Sequence, residues 1–281
     1  MAVQMTRHDI TAPDGTRIVV EDHELPSPRA RVLVVHGYGE HRGRYAHVVS
    51  RLARDGFECH LFDLRGHGQS GGTIAHVDRF HQYLDDLQLV VQHVRNAGGP
   101  RPLFLVSHSL GGLIALSYVR RENHGVDALA VSDPYLHPAF RIPPARKALA
   151  TVLSRVIPKL SFNNGLDAKW LSHDEAIVRA YVDDPLVFKT TTPRWYTEVT
   201  RSQRELVAGA SDIRLPLLML VGEGDRIADP RVALDVFDRA ASAHKTLRRY
   251  PGLFHEIFNE LERDAVLDDL AGWLTTTAER R

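Results

Sequence analysis

The sequence predicts an α/β protein in which a mostly parallel, eight-stranded sheet is flanked by helices and carries a helical cap insertion. Three observations lead there. Short apolar runs rich in Val, Leu and Ile alternate with longer segments of helical period, the signature of βαβ units. That alternation breaks off between Asp133 and about Val207 and then resumes. Finally, 281 residues with 43% apolar content suffice for one large domain with an insertion. At this size roughly 73% of the unfolded chain's surface is buried on folding, so no disulfide or metal staple is required.

The first two runs, His8–Ala12 and Thr16–Leu25, flank Asp14-Gly15, a hairpin dipeptide, and are expected to pair antiparallel at a sheet edge. Arg31–His36, Phe57–Phe62, Pro102–Val106, Ala128–Ser132 and Leu215–Val221 are apolar, too short for helices and expected as buried strands, with a shorter one at Thr246–Tyr250. Between them, Tyr45–Arg54, Phe80–Asn96 and Leu110–Arg121 place apolar residues at i, i+3 and i+4, as in Leu84, Leu87, Val91 and Val94; these are crossover helices. Pro230–Ala240 and Leu261–Leu274 continue the pattern.

The expected organisation is a core in two parts, residues 1–133 and 208–281, interrupted by a cap over 134–207. The cap opens with Pro134, Pro138, Pro143 and Pro144, and its periodicity is helical without strands. Ala145, Ala148, Leu149, Val152, Leu153, Val156 and Ile157 share one helix face, opposite Arg146, Lys147, Ser154 and Arg155. Such a face packs on the core or closes a pocket. The sharper alternative is peripheral membrane contact through helix 145–157, where each basic residue adds about 1 kcal/mol near an anionic surface.

Charge and cysteine content narrow the function. Lys+Arg and Asp+Glu both number 35, so bulk electrostatics do not drive the chain onto nucleic acid. No nucleic-acid partner is expected. The single cysteine, Cys59, excludes an internal disulfide and suits a reducing compartment. Met1–Thr16 is polar, lacks the apolar core of a secretory signal and reads as unprocessed, which points to the cytoplasm. The longest nearly apolar stretch, Leu103–Val119, is interrupted by Ser107-His108-Ser109 and Gly111-Gly112 and is too short to span a bilayer. Oligomeric state leaves no readable signal.

The chemistry centres on Leu103-Phe-Leu-Val-Ser-His-Ser-Leu-Gly-Gly112: a strand, a small-x-Ser-x-Gly turn, then a helix. A serine on so sharp a turn projects its Oγ above the sheet edge, with the next amide, Leu110, facing the same space. Ser107 stands where the common pattern has glycine. A second amide for an oxyanion is expected from the turn His36-Gly37-Tyr38-Gly39, at Tyr38. Serine is a weak nucleophile at neutral pH and needs a histidine base oriented by a carboxylate. Asp225 lies four residues past the Leu215–Val221 strand and His255 just past the last one, in the order this chemistry takes on such a sheet. Glu223 and Asp229 are alternative carboxylates. With 16 histidines in the chain, order and loop placement carry the choice, not residue type.

Here the chain resembles the monoacylglycerol lipase and lysophospholipase-like branch of the α/β hydrolases. The likeness runs through His36-Gly-Tyr-Gly-Glu-His-Arg-Gly-Arg-Tyr45, Asp63-Leu-Arg-Gly-His-Gly-Gln-Ser70, Ser107-His-Ser-Leu-Gly-Gly112, Tyr181-Val-Asp-Asp-Pro-Leu-Val187, Val221-Gly-Glu-Gly-Asp-Arg-Ile227 and Phe254-His-Glu-Ile-Phe-Asn-Glu260. It implies a serine esterase with Tyr38 and Leu110 as oxyanion donors, Glu40, Arg44 and Tyr181 near the polar head of a small acyl ester, and no cofactor.

Competing readings remain. Asp63–Ser70 lacks the Gly-x-Gly-x-x-Gly and Lys-Ser/Thr features of phosphate loops and reads as structural, Asp63 and Arg65 bonding nearby backbone. His36, His41 and His67 show no metal-ligand spacing, so no catalytic metal is expected. A peptidase or amidase of the same fold would use an acidic cluster, Asp183-Asp184 or Asp174-Glu175, to hold a substrate amine. A catalytically inactive binding module is the third reading, against which the complete Ser, Asp and His set argues.

Overall fold

Strands buried on both sides send successive side chains into two different cores, and this alternation organises the molecule. In β3 (Ala30–Val35), Leu33 and Val35 enter one core while Val32 and Val34 enter the other. The same split runs through β4 (Phe57–Phe62), β5 (Leu103–His108), β6 (Ala128–Ser132) and, later in the chain, the strand Leu217–Gly222. Every residue of these five strands is buried, which explains their mostly apolar sequences; among the polar exceptions, Arg31, Glu58 and His60 are paired with one another. The structure, a computed structural model, describes residues 4–121 and 124–280. Met1–Val3, part of the segment read as an unprocessed N-terminus, lie outside the described residues.

β1 (Gln4–Thr11) and β2 (Arg17–Glu24) form the antiparallel edge hairpin expected around Asp14-Gly15. Two strand pairs complete the count: β7 (Phe162–Asn163) with β8 (Thr190–Thr191), and β9 (Leu217–Gly222) with β10 (Lys245–Tyr250). The main sheet has eight strands in the order β1-β2-β4-β3-β5-β6-β9-β10, parallel from β4 onward, as the α/β-hydrolase reading requires.

On one face lie α2 (His81–Asn96), α3 (Leu110–Tyr118), α6 (Pro193–Ala208) and α7 (Pro230–Arg239). The other face carries α1 (Ala46–Arg54) and α8 (Arg263–Glu279). Between β6 and β9 the chain also forms α4 (Pro144–Val156) and α5 (Glu175–Asp183). This segment contains the short β7–β8 pair, where no strand was expected. Two residues per strand are too few to leave a period in the sequence.

α4 corrects another expectation. Ser154, placed on the polar side, is its one buried residue; its hydroxyl bonds the Thr197 hydroxyl at 2.8 Å, and its carbonyl accepts from Arg194. Val152 and Val156, assigned to the packing face, are 58% and 71% exposed. No helix of the described residues is long and apolar enough to cross a membrane.

Candidate active site

The site assembles where β5, β9 and β10 end at the same sheet edge. Ser109 follows β5 with φ +52°, one of three non-glycine residues at positive φ among those described, and α3 begins at the next residue. Backbone strain of this kind persists only where the surroundings fix it. Gly111 fixes it here: a Cβ at that position would overlap the Val35 carbonyl oxygen, so only glycine lets the first turn of α3 lie against the end of β3. Ser107 is buried and donates its hydroxyl to the Ala130 carbonyl across the sheet at 3.3 Å.

Gly224 does the same for the other two loops. Its Cβ would collide with the Gly252 carbonyl, so the turns after β9 and β10 run in backbone contact. That approach brings Asp225 and His255 together. The His255 Nδ1–H donates to Asp225 Oδ2 at 2.7 Å, and the Ser109 hydroxyl meets His255 Nε2 at 2.8 Å. The other Asp225 oxygen accepts from the Ile227 and Ala228 amides at 2.7 and 3.0 Å. Since Asp225 offers only acceptors, the Nδ1–H tautomer follows and leaves Nε2 free to take the serine proton. All three side chains are buried. Glu223 and Asp229 are engaged elsewhere, with Arg249 and with Arg231 at the start of α7.

Burial by itself depresses the His255 pKa, but the Asp225 carboxylate, backed by Glu256 and Glu40, outweighs it and raises the value above the usual 6.5. Below His255 lies the His108 ring, 4.7 Å between centroids, whose own pKa burial lowers to about 4. It is a neutral spacer at neutral pH. Asp133, at positive φ after β6, is pushed well up by burial and by the nearby Asp225 charge; its Oδ1 accepts the Gly222 amide at 2.7 Å. Asp133 thus braces the end of β9 through a carboxyl whose charged form its surroundings disfavour.

The residues assigned to the substrate head separate into two roles. Glu40 and Tyr181 line the cavity beside Ser109, whereas Arg44 stands behind them. Arg44 bonds Glu40 at 2.8 Å and clamps Glu256 through two contacts of 2.6 and 2.7 Å, with its guanidinium 4.9 Å from the Tyr181 ring centre. Glu40 also accepts from the Gly37 amide at 2.6 Å and the Tyr45 hydroxyl at 2.8 Å, which fixes the turn carrying Tyr38. The Tyr38 hydroxyl donates to the Thr190 carbonyl at 2.7 Å, tying that turn to the inserted segment. Leu110 is the first residue of α3, where an amide has no acceptor within the helix. Glu256, His108 and Asp133 escaped the sequence reading; adjacency to the Ser and His motifs was the only trace of the first two.

The three histidines considered for metal have other partners. His36 accepts the Leu64 amide at Nε2 (2.9 Å) and donates from Nδ1 to the Gly37 carbonyl (2.7 Å). His41 bonds Asp184 at 2.8 Å, and His67 bonds the Arg65 carbonyl at 2.9 Å. Asp63 accepts the Arg42 and Gln69 amides as expected, but Arg65 pairs with the carboxylates of Asp86 and Asp14 and not with backbone.

A buried serine on a strained strand-to-helix turn, aligned with histidine and aspartate at the carboxyl edge of this sheet, defines a serine hydrolase of the α/β-hydrolase fold. A family model described as serine aminopeptidase, S33, matches residues 26–262. Monoacylglycerol lipase from Mycolicibacterium smegmatis is 33% identical over 96% of this chain and 97% of its own. Phospholipase YtpA of Bacillus subtilis is 28% identical over 85% of this chain and 92% of its own. A soluble variant of the Saccharomyces cerevisiae monoglyceride lipase, solved with a substrate analog, superposes with a TM-score of 0.86 at 25% identity, covering 99% of this chain and 96% of that one. The chain belongs to this serine hydrolase family, in its monoacylglycerol lipase-like branch, and is a carboxylic ester hydrolase.

An NMR titration of the His255 imidazole is expected to give a pKa above 6.5, and Asp225→Asn to lower it; a wild-type value below 6.5 contradicts the electrostatic account. Asp133→Asn keeps an acceptor for the Gly222 amide and removes a carboxyl whose charged form burial and the Asp225 charge disfavour. It is expected to leave both the fold and the His255 titration unchanged, whereas a large drop in thermal stability in that variant would show Asp133 to be ionised.

Proposed function

We propose that the protein cleaves carboxylic esters of acyl chains, monoacylglycerol or lysophospholipid above all, through an acyl-enzyme on Ser109. The observation that carries the reading is a cavity of about 670 Å³ with Ser109 and His255 in its wall and Leu149, Leu153, Leu160 and Phe162 lining its outer part. That volume falls in the range of about 300–1,000 Å³ typical of small-ligand pockets. An apolar pocket leading to a serine suits an acyl chain whose ester carbonyl stops at Oγ.

The steps follow from the hydrogen bonds. His255 takes the Ser109 proton as Oγ attacks the carbonyl carbon, and the Tyr38 and Leu110 amides hold the resulting oxyanion. Losing one such donor typically costs about 10²–10³ in rate. His255 passes its proton to the departing alcohol, then deprotonates a water that hydrolyses the acyl-enzyme, regenerating serine and releasing the fatty acid. Asp225 keeps the imidazole in the useful tautomer. Glu40 and Tyr181 meet the polar head, Arg44 holds Glu40 in place, and residues 134–207 form the cap over the chain.

The aminopeptidase reading needs a carboxylate free to hold an ammonium group. Glu40 and Glu256, the two in the cavity wall, are both bound to Arg44. Asp184 bonds His41, Asp174 bonds Arg263, and none of the four candidate acidic residues lines the cavity. This favours ester over amine-bearing peptide.

A membrane-facing role for α4 is supported by its exposure: Leu149, Val152, Val156 and Ile157 are uncovered beside the cavity mouth, with Arg146, Lys147 and Arg155 on the same helix. Such a face lies in the headgroup region while the substrate enters alongside it.

Assays on monoacylglycerols, lysophospholipids, short esters and aminoacyl anilides should show ester hydrolysis that falls at least about 10⁴-fold in Ser109→Ala. Within an ester series, kcat/KM should climb by up to about fourfold per methylene, the equivalent of ~0.8 kcal/mol, until the cavity is filled. Ester turnover that survives in Ser109→Ala removes this site from the reaction; a preference for the anilides reverses the substrate reading. In flotation with anionic liposomes, Val152→Glu/Val156→Glu is expected to lose co-flotation, and unchanged partitioning ends the membrane role.

A further inference from the structure

Away from the cleft, the edge hairpin and α2 enclose a second polar cluster. Asp22 on β2 pairs in register with His60 on β4, and β1 sets Thr6 opposite Asp22. His8, two residues along β1 from Thr6, therefore shares the Asp22 face. The last turn of α2 crosses that face and delivers His93. Both imidazoles aim Nε2 at the same carboxylate oxygen: His8 lies 3.2 Å and His93 2.9 Å from Asp22 Oδ2. Their rings are 5.0 Å apart and inclined at 57°, so they converge without stacking.

One buried carboxylate does not need three histidines. Asp22 Oδ1 already takes the His60 Nδ1–H at 2.7 Å, and His60 is held in turn by Glu58 at 3.2 Å, which Arg31 bonds at 2.9 Å. The Asp22 side chain is only 3% exposed, while His93 is 24% and His8 40% exposed, so solvent reaches the cluster from the His8 side.

We propose that His8, Asp22 and His93 form a binding site for a divalent transition-metal ion of zinc type, with water as the fourth ligand. One atom from each residue lies within 4.8 Å of the other two. A tetrahedral zinc with bonds of about 2.0–2.1 Å sets its ligand atoms roughly 3.3 Å apart, close to the two spacings seen here. Two neutral imidazoles and one carboxylate suit zinc, nickel or copper ions better than magnesium or calcium, which favour all-oxygen shells. His60 supplies the outer hydrogen bond that orients a ligating carboxylate. On binding, the ion takes the place of the two Nε2 protons that otherwise face Asp22, each ring keeping one proton on Nδ1 as a neutral ligand and any second proton leaving to solvent, and it links the edge hairpin to α2. In the sheet β4 and β3 separate β2 from β5, so the ion stabilises the fold and takes no part in hydrolysis.

The test uses the full chain stripped with EDTA and titrated with ZnCl₂ by calorimetry, with Co²⁺ as an absorbing substitute. One equivalent of saturable zinc binding is expected, with tetrahedral Co²⁺ bands in the visible. The melting temperature should rise by roughly 5 °C at a hundredfold excess of free zinc over its dissociation constant. His8→Gln and His93→Gln, both at partly exposed positions, should each abolish the binding and the Co²⁺ bands while ester hydrolysis persists. Absence of saturable binding to wild type, or one equivalent that survives both substitutions, overturns the proposal.

Discussion

Everything at the carboxyl edge depends on one buried imidazole being compensated on both sides. His255 sits out of water, where burial alone disfavours its charged form. Asp225 supplies the opposing charge, and its own spare oxygen is saturated by two loop amides. Removing that carboxylate would leave the ring free to flip and a buried donor without an acceptor. The arrangement therefore demands backbone closeness before it demands side chains: Gly111 lets α3 approach β3, and Gly224 lets the two late loops touch. The glycines determine where the polar groups meet.

A second layer regulates the charge around that ring. Glu40 and Glu256 together would place two negative charges in the cavity wall. Arg44 takes both, with Asn259 adding a bond to Glu256 at 2.9 Å; burial pushes the Glu256 pKa up, but the Arg44 charge outweighs it and holds the value down at about 2. Glu256 thus stays ionised at neutral pH, with its charge held against the Arg44 guanidinium. Because Glu40 also fixes the Gly37 amide, this clamp couples the electrostatics of the histidine to the position of the turn that bears Tyr38.

What the sequence made legible follows from how each feature is encoded. The central strands could be read because burial on both sides makes most of their residues apolar, and Asp225 and His255 because each lies a short distance past a late strand. The α4 face was misread because amphipathic spacing marks an apolar stripe without saying whether a core, a cavity or solvent lies beside it; in this helix Leu153 faces the cavity and Val156 faces out. Glu256 was overlooked because its partner Arg44 is 212 positions away, and no local pattern encodes a long-range ion pair. His8, Asp22 and His93 are united only by strand register and the pitch of a helix 71 residues on.

The edge of the sheet explains why that last cluster has physical weight. β1 has a neighbour on one side only, and its outward residues, Met5 among them, are exposed, so it contributes little apolar burial of its own. Such a strand is held by its hydrogen-bond ladder and by whatever crosses from its face to the core. Asp22 is that crossing point, for it touches side chains from β1, β4 and α2 at once. A buried carboxylate is costly unless each oxygen is satisfied, and here one oxygen belongs to His60 and the other to His8 and His93. Whether protons or a metal ion sit between those last two rings and Asp22, the charge holds the hairpin onto the molecule at a distance from the cleft, so that stability at the edge and chemistry at the carboxyl ends of the strands are set by separate groups.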